Sequence, residues 1–447
     1  MASNSESPRL FGENDLRDYF QRGNKPSDRL RVGVEHEKFG FCSGTTQLID
    51  FEMIQTLFVE LQERYSWRAS YEGELVIALT RKGETITLEP GGQFEWSGTP
   101  FASLHDAFAE FWEHRDELLI IGRDIGIDWL ALGHNPITPL DRIPDMKKQR
   151  YEIMKRYMPT RGSRALEMMT RTCTVQANFD WSDEEDGTDK FRTAMAVSPI
   201  ITAIFANSPI SEGRLNGAMS DRYLIWLDTD PDRCGLLEFA FRDDFRFADY
   251  LEYALDVPML FVVRDGRYRE MTDTTFRRYL AAGGHRGCEP TLADWEVHLS
   301  TIFTEIRLKH YLEVRGADSV PGAAAMALPT IWKGLLYDET ARRAAWECVR
   351  SLSFAQRQQM VRAVGVSGLR ATVAGLSIHE LAIELLRLAD EGLSRLNVRS
   401  AAGLTESVYL DSIRDWVASG ASPAEELIAI WREERGEPLR LIERFRQ

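Results

Sequence analysis

A two-residue alternation of apolar and charged side chains recurs along this chain, and it dictates strands that bury one face and present carboxylates on the other. Over Arg31–Phe41, Val32 and Val34 share one parity while Glu35 and Glu37 share the other. Over Thr85–Ser97, Ile86, Leu88, Phe94 and Trp96 take even positions and Glu89, Gln93 and Glu95 take odd ones, with Pro90-Gly91-Gly92 allowing a bulge between the halves. Over Glu305–Arg315 the even positions are mostly aliphatic, and the odd ones read Glu305, Arg307, Lys309, Tyr311, Glu313 and Arg315. A fourth segment, Thr172–Asp180, sets Thr172, Thr174, Gln176, Asn178 and Asp180 against Cys173, Val175, Ala177 and Phe179.

Polar faces of this kind are ordinary when they face solvent. A solvent face is usually rich in Lys, Ser, Thr and mixed charge, whereas the first two segments supply four glutamates, and Lys38 falls on the opposite parity. Like charges so placed are costly unless cations sit among them. Eight histidines form no H-x-x-x-H or H-x-x-H pair and five cysteines form no C-x-x-C, so the donors are oxygens that suit Mg²⁺ or Mn²⁺ and not zinc. Arg307, Lys309 and Arg315 on a neighbouring polar face would oppose the metals. They can neutralise a transferring phosphoryl group or clamp a carboxylate. The residues point to a metal-dependent enzyme for anionic substrates. By parity His36 and Cys173 face the apolar side, a structural imidazole and an inert thiol. Arg171 shares that parity, so alternation alone does not bring it to the polar face.

The rest of the composition narrows the partners. The formal charge of −15 and a pI near 5.2 argue against a nucleic-acid partner, without excluding a pocket rich in arginine. The scattered, odd-numbered cysteines imply a reducing compartment. Met1–Pro8 lacks a signal-peptide pattern and no 18-residue apolar run follows, so the expectation is a soluble, cytoplasmic protein without a membrane partner. There is no P-loop and no dinucleotide-binding glycine pattern. Interruptions are expected at Asp183–Asp189, at Asp230–Arg233 and at Ala281–Pro290. None is long enough to divide domains, so residues 1–447 read as one unit: a sheet-containing core over 1–331 and a helical layer over 332–447. The layer's helices start at the capping boxes Ser377–Glu380 and Ser422–Glu425, the second with proline at its first position.

Longer strings make the reading specific. Val34-Glu35-His36-Glu37-Lys38-Phe39-Gly40, Leu88-Glu89-Pro90-Gly91-Gly92-Gln93-Phe94-Glu95-Trp96 and Arg171-Thr172-Cys173-Thr174-Val175-Gln176 strongly resemble glutamate–cysteine ligase of the plant and proteobacterial type. The likeness continues in order through Tyr151–Met154, Phe205–Pro209, Trp226–Asp230, Tyr253–Met259, Glu313–Asp318 and Gly334–Asp338. It implies an α+β, glutamine-synthetase-like fold: a curved antiparallel sheet forming a funnel with helices outside. It also implies ATP-dependent joining of the L-glutamate γ-carboxylate to the L-cysteine α-amine through γ-glutamyl phosphate, the first step of glutathione synthesis.

By the same resemblance Glu35, Glu37, Glu89, Glu95 and Glu313 would hold two or three Mg²⁺, with Mn²⁺ as an alternative. Arg171 and Arg222 would hold substrate carboxylates, Gln176 would complete a metal shell or touch substrate, and Arg307 and Arg315 would neutralise the phosphoryl group of the co-substrate ATP. The plant members' regulatory cysteine pairs are not matched. Met271 and Met326 stand at two of those positions and only Cys288 lies near a third, so redox-linked dimerisation is not expected. The expectation is a monomer or weak homodimer, bacterial and cytoplasmic. Rival readings are a related carboxylate–amine ligase with another acceptor or thiol pathway, and a non-catalytic scaffold, which the retained glutamates disfavour.

Overall fold

In the computed structural model the described residues are 7–10 and 12–446, so residues 1–6 of the Met1–Pro8 start lie outside them. The alternating segments form strands of one sheet: β1 (Val32–Cys42), β2 (Arg68–Glu72), β3 (Leu75–Arg81), β4 (Glu84–Leu88), β5 (Phe94–Ser97), β6 (Ile127–Leu130), β7 (Val175–Phe179), β8 (Ile306–Leu308) and β9 (Leu312–Val314). Their order is β8-β9-β7-β1-β5-β4-β3-β2, and β6 pairs with the far half of β1. Every pairing is antiparallel. The sheet stays open, with β8 and β2 as its ends.

Two segments expected as single strands turn back on themselves. Thr85–Ser97 is the β4–β5 hairpin, and Glu305–Arg315 spans the β8–β9 hairpin. At Glu89–Gln93 the Glu89 amide donates to the Gln93 carbonyl at 3.0 Å, and Gly92 takes the positive φ of 82° that a tight reversal needs. Leu88 pairs with Phe94, and Arg307 with Glu313. Cross-strand partners share a face, and in both hairpins partners have equal parity, so the apolar and polar sets survive the reversal.

The helices that matter here are α1 (Leu104–Ile125), α2 (Gln149–Tyr157), α3 (Ala165–Arg171), α4 (Glu184–Ile204), α5 (Asp221–Trp226), α6 (Ala323–Tyr337), α7 (Ile378–Leu396) and α8 (Pro423–Glu433). The apolar sheet face packs on α1 and α6. Phe111 of α1 lies 5.8 Å from Trp96 and 5.6 Å from His36 between ring centroids. His36 is structural, as expected: its Nε2 meets the Val320 carbonyl at 3.0 Å, and burial holds its pKa well below the usual range. Burial likewise pushes the Cys173 thiol well up. Lys38 lies on this face with no hydrogen-bond partner for its ammonium, and burial takes its pKa down to about 7.

Asp183–Asp189 is not an interruption. Asp183 accepts from the Asp186 amide at 2.9 Å and caps α4, so the acids that follow occupy its first turns, where the helix dipole favours them. Helix takes over at Ala323 rather than near Trp332, which lies inside α6. Half of each expected capping box is made: Ser377 accepts from the Glu380 amide, and the Glu425 side chain accepts from the Ser422 amide, with Pro423 at the first position of α8. The Ala424 amide donates to the Ala206 carbonyl, tying α8 to the end of α4. Among the described residues no helix is long and apolar enough to cross a membrane.

Candidate active site

The register sets the polar face in order. Glu37 is opposite Glu95, Glu35 is opposite Gln176 and Ser97, Glu313 is opposite Asn178, and Arg307 is opposite Glu313. These pairings lay one continuous polar row across β8, β9, β7, β1 and β5. Over it stand α2, the end of α3, α5 and the Ser300–Phe303 segment, and together they enclose a cavity of about 230 Å³. Glu35, Glu37, Glu89, Glu95, Gln176, Arg222, Arg307 and Arg315 all line it.

The acids are held by neutral donors. The Asn178 amide donates to Glu35 at 2.8 Å, the Thr174 backbone N–H to Glu37 at 3.0 Å, and the Thr87 and Ser97 hydroxyls to Glu95 at 2.8 and 3.2 Å. Burial, then Glu313 and Glu95, push the Glu35 carboxyl up to about 7 against Asn178 and Lys309. Burial, then Glu95 and Glu89, push Glu37 well up against Arg222 and Thr174. Burial and Glu89 also raise Glu95. Glu89 stands at the β4–β5 turn with Arg150 3.8 Å away. That turn is locked: the Gln93 side chain accepts from the Gly91 amide and donates to the Met169 and Thr172 carbonyls, and a Cβ on Gly91 would lie 2.1 Å from the Thr170 carbonyl oxygen. Carboxylates that crowd one cavity wall, face one another and are short of positive charge fit divalent cations with oxygen ligands.

The cationic end of the row is organised by Glu313. Arg307 makes a bidentate pair with it at 2.5 and 3.1 Å, Lys309 approaches to 3.2 Å, and Arg315 also pairs with it. Burial raises the Glu313 carboxyl, but Arg307, Lys309 and Arg315 outweigh it and hold the group well below the usual range. Glu313 is therefore buried behind its arginines and off the cavity wall. The Arg315 guanidinium lies 5.6 Å from the Trp226 ring and 5.7 Å from that of Phe303, and it donates to the Gln176 side chain at 2.8 Å. Arg222 of α5 is buried and bonds the Arg315 and Gly316 carbonyls at 3.0 Å each.

Arg171 is the last residue of α3, which removes the question of strand parity. It pairs with Glu212 at 3.0 Å and does not line the cavity. Strand alternation could not find the opposing wall, because Arg150, Tyr151, Met154, Trp226 and Ser300 come from helices, and Phe303 from a two-residue strand too short to show a period. On the other side of Glu35 a second cavity of about 340 Å³ is lined by Lys25, Arg31, Ser97, Asn178 and Tyr311, and Glu35 lines both.

Comparison with known proteins gives the family. The chloroplastic glutamate–cysteine ligase of Medicago truncatula is 44% identical over 421 residues, covering 93% of this chain and 81% of its own. That of Arabidopsis thaliana is 42% identical over 427 residues, covering 95% and 80%. Among solved structures, the Francisella tularensis glutamate–cysteine ligase in complex with AMP superposes with a TM-score of 0.56 at 13% identity, over 93% of this chain and 88% of its own. A bifunctional glutathione synthetase from Pasteurella multocida gives 0.51 at 11% identity, over 97% and 53%. These two show the fold. These relatives are chloroplastic, which overturns the expectation of a cytoplasmic enzyme. The sequence model of glutamate-cysteine ligase family 2 matches residues 31–444, and with that span the chain belongs to this family of enzymes that join glutamate to cysteine.

Proposed function

We propose that the chain ligates the γ-carboxylate of L-glutamate to the α-amine of L-cysteine with ATP as phosphoryl donor. The carboxylate attacks the γ-phosphorus, ADP leaves, and the amine then displaces phosphate from γ-glutamyl phosphate to give γ-glutamylcysteine. The observation that carries this reading is one sheet face with an acidic row at one end and buried arginines at the other, both opening into the same cavity.

Glu35, Glu37, Glu89 and Glu95 would hold two or three divalent ions, Mg²⁺ or Mn²⁺. A bound divalent ion would draw charge from the phosphate oxygens. Arg307 and Arg315 stand across the row to meet the transferring phosphoryl group, and the Trp226 and Phe303 rings lie beside the Arg315 guanidinium. Glu313 sets both arginines, and it is open to a cation only when they turn to phosphate. Gln176 orients Arg315, and Arg222 fits a substrate carboxylate. Arg171 stands off this cavity and pairs with Glu212, with its Nε and one terminal nitrogen left unpartnered for a substrate carboxylate. The cavity beside Lys25 and Arg31 suits the nucleotide and the one beside Arg222 the amino acids, so that the reacting groups meet at Glu35.

The test is ADP formation with glutamate and a panel of amines. Strong dependence on cysteine supports the proposal. Equal or better turnover with another amine reassigns the acceptor, and no turnover with any amine at saturating Mg²⁺ refutes catalysis.

A further inference from the structure

Behind the cavity wall a second group of ligand atoms converges, and the ligation chemistry does not use it. His134 is 1% exposed and neither of its ring nitrogens has a hydrogen-bond partner. Its Nε2 points at Glu167, 3.7 Å from Oε2, too far for a hydrogen bond. One ligand atom each from His134, Glu167 and Asp221 lie within 4.8 Å of one another. Arg164 grips both carboxylates, with bonds of 2.8 and 2.9 Å to Asp221 and of 2.9 and 3.3 Å to Glu167. A carboxylate offers about four acceptor positions, so this grip fixes both groups while leaving further positions free.

We propose that His134, Glu167 and Asp221 form a separate site for one divalent late first-row ion such as Zn²⁺ or Co²⁺. An imidazole donor favours these ions over Mg²⁺, which prefers oxygen. Three protein ligands leave a coordination position for water. Arg164 acts as the outer partner that orients the two carboxylates. Glu167 is partly exposed, which gives the ion a way in. The three ligands adjoin the catalytic wall: Met168 follows Glu167, Arg222 follows Asp221, and Thr172 is bridged to His134, and all three neighbours line the cavity. An ion here would brace α3 against α5 and fix that wall.

The test titrates Co²⁺ into the full chain at saturating Mg²⁺, which occupies the oxygen-ligand sites, and reads bound cobalt and its visible d–d absorption. One Co²⁺ per chain is expected. Its affinity should fall about tenfold or more in His134→Gln and in Asp221→Asn, and should be unchanged in Glu37→Gln. Thermal melts without added metal identify the variants that fold, and the wild-type titration decides even where a variant does not. No cobalt bound at saturating Mg²⁺, or equal affinity in folded His134→Gln, overturns the site. The readout is bound metal rather than turnover, so this result is independent of the ligase proposal.

Discussion

Glu35 stands at the meeting point of the two cavities, and its carboxyl is lifted to about 7 by burial and by the Glu313 and Glu95 charges. The folded chain therefore holds a proton there that the unfolded chain gives up near pH 4.5. Without divalent ions, the contribution of Glu35 to stability falls as pH rises from about 4.5 and levels off above about 7, because the native state binds more protons at this group across that window. At about 1.4 kcal/mol per pH unit the loss is about 3 kcal/mol by pH 8. Glu35→Gln removes this titration and keeps an oxygen to accept the Asn178 bond of 2.8 Å. With chelator present, urea denaturation followed by circular dichroism should show the variant close to wild type near pH 5 and more stable by up to about 3 kcal/mol at pH 8. Saturating Mg²⁺ should close most of this gap at pH 8, since ligand at a hundredfold excess over its Kd adds about 2.7 kcal/mol to the wild type. A variant destabilised equally at both pH values, or one that gains as much from Mg²⁺ as wild type, would show that Glu35 neither titrates in this window nor holds an ion.

Lys38→Met should stabilise the chain by about 2 kcal/mol at pH 7, because it removes a buried ammonium with no partner. Its folded pKa near 7 lies below the unfolded 10.5, so wild-type stability rises with pH between these values and thermal melts should show the gain shrinking toward pH 10. Gly91→Ala forces a Cβ to within 2.1 Å of the Thr170 carbonyl oxygen, so the turn carrying Glu89 must move. Denaturant melts should show a loss of about 2 kcal/mol and steady-state assays a lower kcat.

The acidic row was legible because a period of two is local, and because antiparallel hairpins with equal-parity pairs preserve it. That is why Glu35, Glu37, Glu95, Arg307 and Arg315 come together even though two expected strands are hairpins. The reversals themselves rested on Gly91 packing against Thr170 and on Arg307 pairing with Glu313, contacts that alternation does not encode. Glu313 kept its face but not its access, because three cations near it in sequence close over its carboxylate. Arg171 lay at a helix end, where strand parity has no meaning. The acids of Asp183–Asp189 resembled a loop because a capped first turn and a polar loop share the same composition.

On this proposal the carboxylates of the sheet face hold the cations that make ligation possible. The direct measurement is cysteine-dependent ADP formation as a function of Mg²⁺ or Mn²⁺, in wild type and in Glu37→Gln, with circular dichroism and melting confirming that both are folded. Wild type should rise from no activity to saturation with added ion, while Glu37→Gln stays at least about 100-fold lower at every concentration. A folded Glu37→Gln that reaches wild-type turnover, or a wild type that turns over fully in chelator, would contradict the account.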